Sequence, residues 1–150
     1  MNLTALRPAA ALALLTGPLL LTGCGSEAIK PAPGAATPAC TALTGRLPGQ
    51  VLGRSRNQLS VAGAASWGKP AIVLRCGVSP PGPTTDACLG VNGLDWVFTE
   101  TKHTLRFVSY GRNPAVEVTV PVSVGRTGAT GALVDLAAAV RPITAGTNCT

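Results

Sequence analysis

The chain has few aromatic side chains: two Trp, one Tyr and two Phe in 150 residues. It has one histidine, His103, and six carboxylates: Glu27, Asp86, Asp95, Glu100, Glu117 and Asp135. Each shortage removes a class of function. A surface that reads nucleic acid needs Lys and Arg clustered and interleaved with stacking aromatics. Here the cations are scattered singly, apart from Arg54 and Arg56, so no nucleic-acid partner is expected. A histidine base needs an orienting partner and a neighbouring nucleophile. Nothing in the sequence sets Ser or Cys beside His103, which falls at an expected hairpin tip and reads as a solvated turn residue. No Cys-x-x-Cys pair is present. That removes the usual redox motif and the zinc-ribbon spacing, so neither a metal site nor a cofactor is expected. The run "GRTGATG", residues 125–131, lacks the Lys-Ser/Thr ending of a phosphate-binding loop.

Long apolar runs are also scarce. The single one follows Arg7 and reads "PAAALALLTGPLLL". A charged start, an apolar middle and small residues at the end make a signal peptide over residues 1–23. The run is short for a membrane span, and Gly17 and Pro18 interrupt it. Residues 21–24, Leu-Thr-Gly-Cys, resemble the lipobox of bacterial lipoproteins. The resemblance implies that Cys24 is lipidated and becomes the first mature residue. Several acyl chains on Cys24 give stable anchoring where one does not. The chain is therefore expected to be exported and held on the outer face of the cytoplasmic membrane. Loss of Arg7 lowers the formal charge of +6 by one, and residues 24–150 suit one domain.

Beyond Cys24 four cysteines remain: Cys40, Cys76, Cys88 and Cys149. An even number in an exported domain implies two disulfides, with three possible connectivities. The preferred pairing is Cys76–Cys88, closing the short loop "SPPGPTTD", with Cys40–Cys149 tying the ends of the domain. Residues 25–39 are dominated by Gly, Ala, Ser and Pro and read as a flexible tether.

From Cys40 onward, Leu43 and Leu47 are four apart, which predicts a short helix ended by Pro48-Gly49. Residues 53–70 resist a reading. "AIVLRCGV", residues 71–78, is β-rich and bounded by prolines. "VNGLDWVFTE", "TLRFVSY" and "AVEVTV" follow as strands. Leu94, Trp96 and Phe98 share a face of the first, Leu105 and Phe107 of the second, and Val116, Val118 and Val120 of the third. Pairing Tyr110 with Ala115 puts Phe107 opposite Val118 and Leu105 opposite Val120. Pairing Thr99 with Thr104 puts Trp96 opposite Phe107 and Phe98 opposite Leu105. Both hairpins then have one apolar face, which a one-residue slip would destroy. Leu133, Leu136, Ala137 and Val140 recur at helical spacing near residues 127–142 and predict the covering helix. The expected class is α+β: a meander-based antiparallel sheet of about four strands, a short N-terminal helix, and a C-terminal helix on one face. The alternative is an all-β sandwich, with further strands from residues 53–65.

The run "SWGKPAIVLRCGVSPPGPT", followed by "DACLGVNGLDWVF", resembles an actinobacterial family of secreted or lipid-anchored proteins, domain of unknown function number 3515. The resemblance covers Cys40 to the C-terminus. It implies a small envelope protein, and it carries over no catalytic residue.

Three surfaces are candidates for binding. The proline loop, with Pro80, Pro81 and Pro83, is stiff, and a Cys76–Cys88 clamp would present it at little ordering cost to an envelope protein partner. Trp67, in a Gly-rich stretch beside Lys69, reads either as an exposed anchor for that partner or as the end of the core. The face opposite the core carries Asp95, Arg106 and Glu117, which suits a small ligand or a wall polymer. An Asp95/Glu117 pair on that face is the least favoured reading, a hydrolase.

Overall fold

The computed structural model describes residues 28–149. The expected signal segment, residues 1–23, and Cys24 lie outside the described residues. Among the described residues, no helix is long and apolar enough to cross a membrane.

The class is α+β. Helix α1 (Pro38–Gly45) is followed by a two-residue pair, β1 (Gln50–Val51) and β2 (Arg54–Ser55). The main strands are β3 (Ala64–Trp67), β4 (Ile72–Val78), β5 (Ala87–Val91), β6 (Leu94–Glu100), β7 (Thr104–Ser109) and β8 (Ala115–Pro121). A 3₁₀ turn at Val122–Val124 leads into helix α2 (Gly125–Val140). The six main strands form one antiparallel sheet in the order β3-β4-β8-β7-β6-β5.

The sheet therefore has six strands where the sequence pattern predicts about four. Strand β3 comes from the stretch that resisted reading. Strand β5 precedes Asn92-Gly93, whose φ angles of 53° and 75° make a two-residue turn. Asn-Gly is a strong hairpin signal because both positions need positive φ. It splits "ACLGVNGLDWVFTE" into two paired strands, with Val91 opposite Leu94.

The β7–β8 register is the expected one, with Leu105 opposite Val120 and Phe107 opposite Val118. The β6–β7 register is shifted by two residues. Phe98 lies opposite Phe107, and Trp96 lies opposite Ser109. The cause is local. The Thr101 hydroxyl accepts the N–H groups of His103 and Thr104, and the Thr101 N–H donates to the Thr104 carbonyl at 2.9 Å. The hairpin thus closes around Lys102-His103. A shift of two keeps every side chain on its face, so the apolar side survives the change.

That side is the core. Leu74, Leu94, Trp96, Leu105, Phe107, Val116, Val118 and Val120 are buried on it, and Phe98 packs against them. Helix α2 covers it with Leu133, Leu136, Ala137 and Val140, the residues its periodicity predicts. Helix α1 begins earlier than its expected start at Cys40. Thr37 caps it through a hydrogen bond from the Cys40 N–H, and Pro38 opens its first turn.

Packed structure also begins before α1. Ala32 and Ala35 are buried, and the Gly34 N–H donates to the Gly77 carbonyl at 2.8 Å. Gly77 sits at a β-bulge between Cys76 and Val78, with φ of 96°. A Cβ there would lie 2.2 Å from the Gly34 carbonyl carbon, so only glycine admits the close approach.

The disulfides are Cys40–Cys76 and Cys88–Cys149. The preferred pairing of Cys76 with Cys88 and Cys40 with Cys149 is corrected. Cys76 points to the core face of β4, beside α1. Cys88 lies opposite Val97 on the other face of the sheet, four strands away. Four strand spacings are roughly 19 Å, far beyond the ~7 Å Cα limit of a bridge.

Candidate functional site

The proline loop is a crossover. Strands β4 and β5 run parallel to each other, with β8, β7 and β6 between them. Residues 79–86 must therefore cross the sheet, roughly 19 Å sideways, as well as pass from one end to the other. Eight extended residues reach about 28 Å, so little slack remains. "SPPGPTTD" suits this because prolines hold the backbone extended and need no ladder partner. The crossover lies over Val97, Thr99, Arg106 and Val108 on the face opposite α2. Pro81 is half-buried against the sheet, while Pro80 and Pro83 are exposed. The disulfide clamp expected at its base is absent, since its two cysteines bond elsewhere.

This crossover also settles the fate of the face carrying Asp95, Arg106 and Glu117. The face is not an open plane. Ala28–Lys30 lie beside Val73, Arg75, Glu117 and Thr119. The crossover covers the middle, and the C-terminal tail covers the far end through the Cys88–Cys149 bridge. Glu117 is buried and takes both arginines. Arg75 bonds one carboxylate oxygen at 2.5 Å, and Arg106 bonds the other at 2.6 Å. Asp95 stands elsewhere and accepts the Cys149 N–H at 2.9 Å. Asp95 and Glu117 are two strands and two residues apart, roughly 12 Å. With that backbone separation, and with Glu117 held by two arginines and Asp95 by the Cys149 N–H, the expected hydrolase pair is not assembled.

Asp95 has a structural task that the sequence reading missed. Arg112 is buried, and its guanidinium donates to the carbonyls of Arg141 and Ile143, at the end of α2. Burial lowers its pKa from the ordinary value; the negative charge of Asp95 opposes this, and Arg141 adds to it. No local pattern flags Arg112, because its partners lie some thirty residues on.

Trp67 is fully buried, and its indole N–H donates to the Pro48 carbonyl at 3.0 Å. The exposed-anchor reading of Trp67 is corrected: the side chain closes one end of the core. His103 is exposed at its hairpin tip. Among the described residues, no three His, Cys, Asp or Glu side chains gather as a metal site.

What remains uncovered lies at the β5 edge. The other edge strand, β3, is bridged by Arg56 at Trp67, and the Asn57 N–H donates to the Ser66 carbonyl. Strand β5 is the last in the sheet and has no outer strand among the described residues. Ala87, Cys88, Leu89 and Gly90 are all exposed. Beside them, α2 leaves a groove of about 580 Å³ lined by Ala87, Leu89, Phe98, Phe107, Arg126, Thr127 and Thr130. The reason is width. A helix about 10 Å across cannot span a six-stranded sheet of roughly 24 Å. The Arg126 guanidinium lies 5.9 Å from the Phe98 ring centroid and pairs with Glu100 at 2.6 Å.

The family model described as "Protein of unknown function (DUF3515)" matches residues 23–147. The chain belongs to that family. No curated protein and no solved structure matches it. The DUF3515 match takes in Cys40, Cys76 and Cys88, the proline crossover, β5 and all of α2. Every surface described above lies within it, apart from the contacts made by Cys149.

Proposed function

We propose that the chain is an exported envelope lipoprotein, anchored through acyl chains on Cys24, whose folded domain is a non-enzymatic protein-binding module. The apolar start, the Leu-Thr-Gly-Cys sequence and two disulfides support export. Only four backbone steps separate Cys24 from Ala28, a reach of about 14 Å. On this reading the domain sits close to the bilayer rather than tens of ångströms away.

One observation carries the binding role: β5 is an exposed edge without an outer strand among the described residues. "ACLGV" contains no charge and no proline, and no strand pairs with its outer side among the described residues. Such an edge is a template for an added strand, with main-chain bonds giving affinity and adjacent pockets giving choice. Of the crossover prolines, Pro83 lies beside Cys88 and adjoins this surface, whereas Pro80 stands at the β4 end of the crossover and does not. Trp67 drops out of the role, and Asp95, Arg106 and Glu117 belong to the fold. For the alternative reading, a small-ligand domain, the apolar groove beside Leu89 takes the place of the sheet face.

A photo-activated benzophenone amino acid at Thr85, in the full chain in intact cells, tests the reading. A discrete protein adduct is expected from Thr85, with none from Val134, which is exposed on α2. Membrane fractionation of the Cys24→Ser variant tests the anchor, with release expected. Equal adducts at both positions, or none, would count against the binding surface.

A further inference from the structure

The β5 edge has a symmetry of its own. Val91 and Leu94 close the Asn92-Gly93 turn, so they form a hydrogen-bonded pair. Bonding alternates along an antiparallel ladder. Ala87, Leu89 and Val91 therefore bond to β6, while Cys88 and Gly90 turn their N–H and C=O groups outward. Neither finds a partner among the described residues. The outward groups flank Leu89 evenly, and Leu89 is 37% exposed.

We propose that the partner of β5 is a second copy of this chain, paired antiparallel about a two-fold axis through Leu89. This deepens the protein-binding reading and rests on it. In this register Cys88 of each copy meets Gly90 of the other, and all the outward groups of both residues are used. The two Leu89 side chains come together in the close, non-hydrogen-bonded position, with Cβ atoms about 5 Å apart. An isologous contact of this kind closes after two copies.

Charge favours the same register. Asp86 of one copy falls near Asn92 of the other. The Arg141 guanidinium donates to the Asn92 carbonyl at 3.2 Å, so a positive charge stands there. The approach of carboxylate to guanidinium occurs twice by symmetry, at the two ends of the strand pair. A parallel pairing would set Asp86 beside Asp86 instead. On the α2 side, the two Leu89 residues join the two apolar grooves into one strip. Five-residue strands bury less than the roughly 1,000 Å² of a stable interface. The dimer is therefore weak in dilute solution and is favoured where both copies are held on one membrane.

The test places the benzophenone amino acid at Leu89 of the full chain in intact cells. The expected product has twice the chain mass, with residues 87–91 of one copy joined to the same segment of the other. Gly90→Pro removes one outward N–H and leaves the β6 bonds in place. It should lower that product at least tenfold while the Cys40–Cys76 and Cys88–Cys149 peptides persist. An undiminished product in Gly90→Pro overturns strand pairing, and so does an equal self-adduct from Val134. An adduct at Leu89 to a different protein overturns self-pairing but leaves the protein-binding reading intact. An adduct at Thr85 alone does the same. Silence at both Leu89 and Thr85 overturns both.

Discussion

Arg75 and Glu117 face each other across β4 and β8, with the guanidinium 2.5 Å from one carboxylate oxygen, and Arg106 holds the other. One buried carboxylate thus ties three adjacent strands. Glu117→Ala would leave two arginines facing each other on the sheet. Breaking a buried pair costs about 3–5 kcal/mol, and the part-exposure of both arginines reduces this. We expect a loss of about 2–3 kcal/mol in urea unfolding. Glu117→Gln keeps one acceptor and should lose less. No change in the midpoint would mean that the triad contributes nothing to stability.

The two bridges differ in accessibility. Cys40 and Cys76 are fully buried, whereas Cys88 lies on the exposed edge strand. Thiol exchange needs access to a sulfur. Graded reduction should open Cys88–Cys149 first, read by alkylation and peptide mapping. Each bridge closes a long loop, with sequence separations of 36 and 61. On chain-entropy grounds each contributes roughly 4 kcal/mol. A Cys76–Cys88 peptide in the native protein would contradict the topology itself.

Gly77→Ala should be among the most damaging single-methyl changes. The added Cβ meets backbone rather than a movable side chain, and φ is positive. Residues 28–37 would have to leave the sheet. We expect a loss of about 3 kcal/mol or more. Limited proteolysis should show new cleavage before Pro38. Protection equal to the wild type would show that the contact with Gly34 is dispensable.

Arg112→Met keeps the unbranched apolar stem and removes the guanidinium with its donors. The carbonyls of Arg141 and Ile143 then lose their partner. Hydrogen bonds to a charged group are worth about 1.5–3 kcal/mol, and a loss in that range is expected. Amide exchange should quicken at residues 143–149, while β7 and β8 stay protected. Uniform quickening would instead mean that Arg112 supports the whole sheet.

Much of this fold is legible in single residues. The alternation in "TLRFVSY" and "AVEVTV" names the buried face, and the spacing of Leu133, Leu136, Ala137 and Val140 names the helix that covers it. Even the misplaced β6–β7 register left the core assignment intact, because a shift of two preserves side-chain direction. The Asn92-Gly93 turn was equally readable and would have revealed β5. The face holding Asp95, Arg106 and Glu117 was correctly found opposite the core, yet its exposure was not legible.

The sequence by itself determined the periodic features: which residues face inward and where helices stop. These depend on neighbours within a few residues, and periodicity records them directly. Tertiary structure alone decided the rest. Strand order placed Cys76 and Cys88 on opposite faces and sent them to Cys40 and Cys149. It made the proline loop a crossover, buried Trp67 against Pro48, and left β5 as the uncovered edge. The physical reason is that strand order follows from the sum of packing and loop closure over the whole chain, and no short window of residues contains that sum.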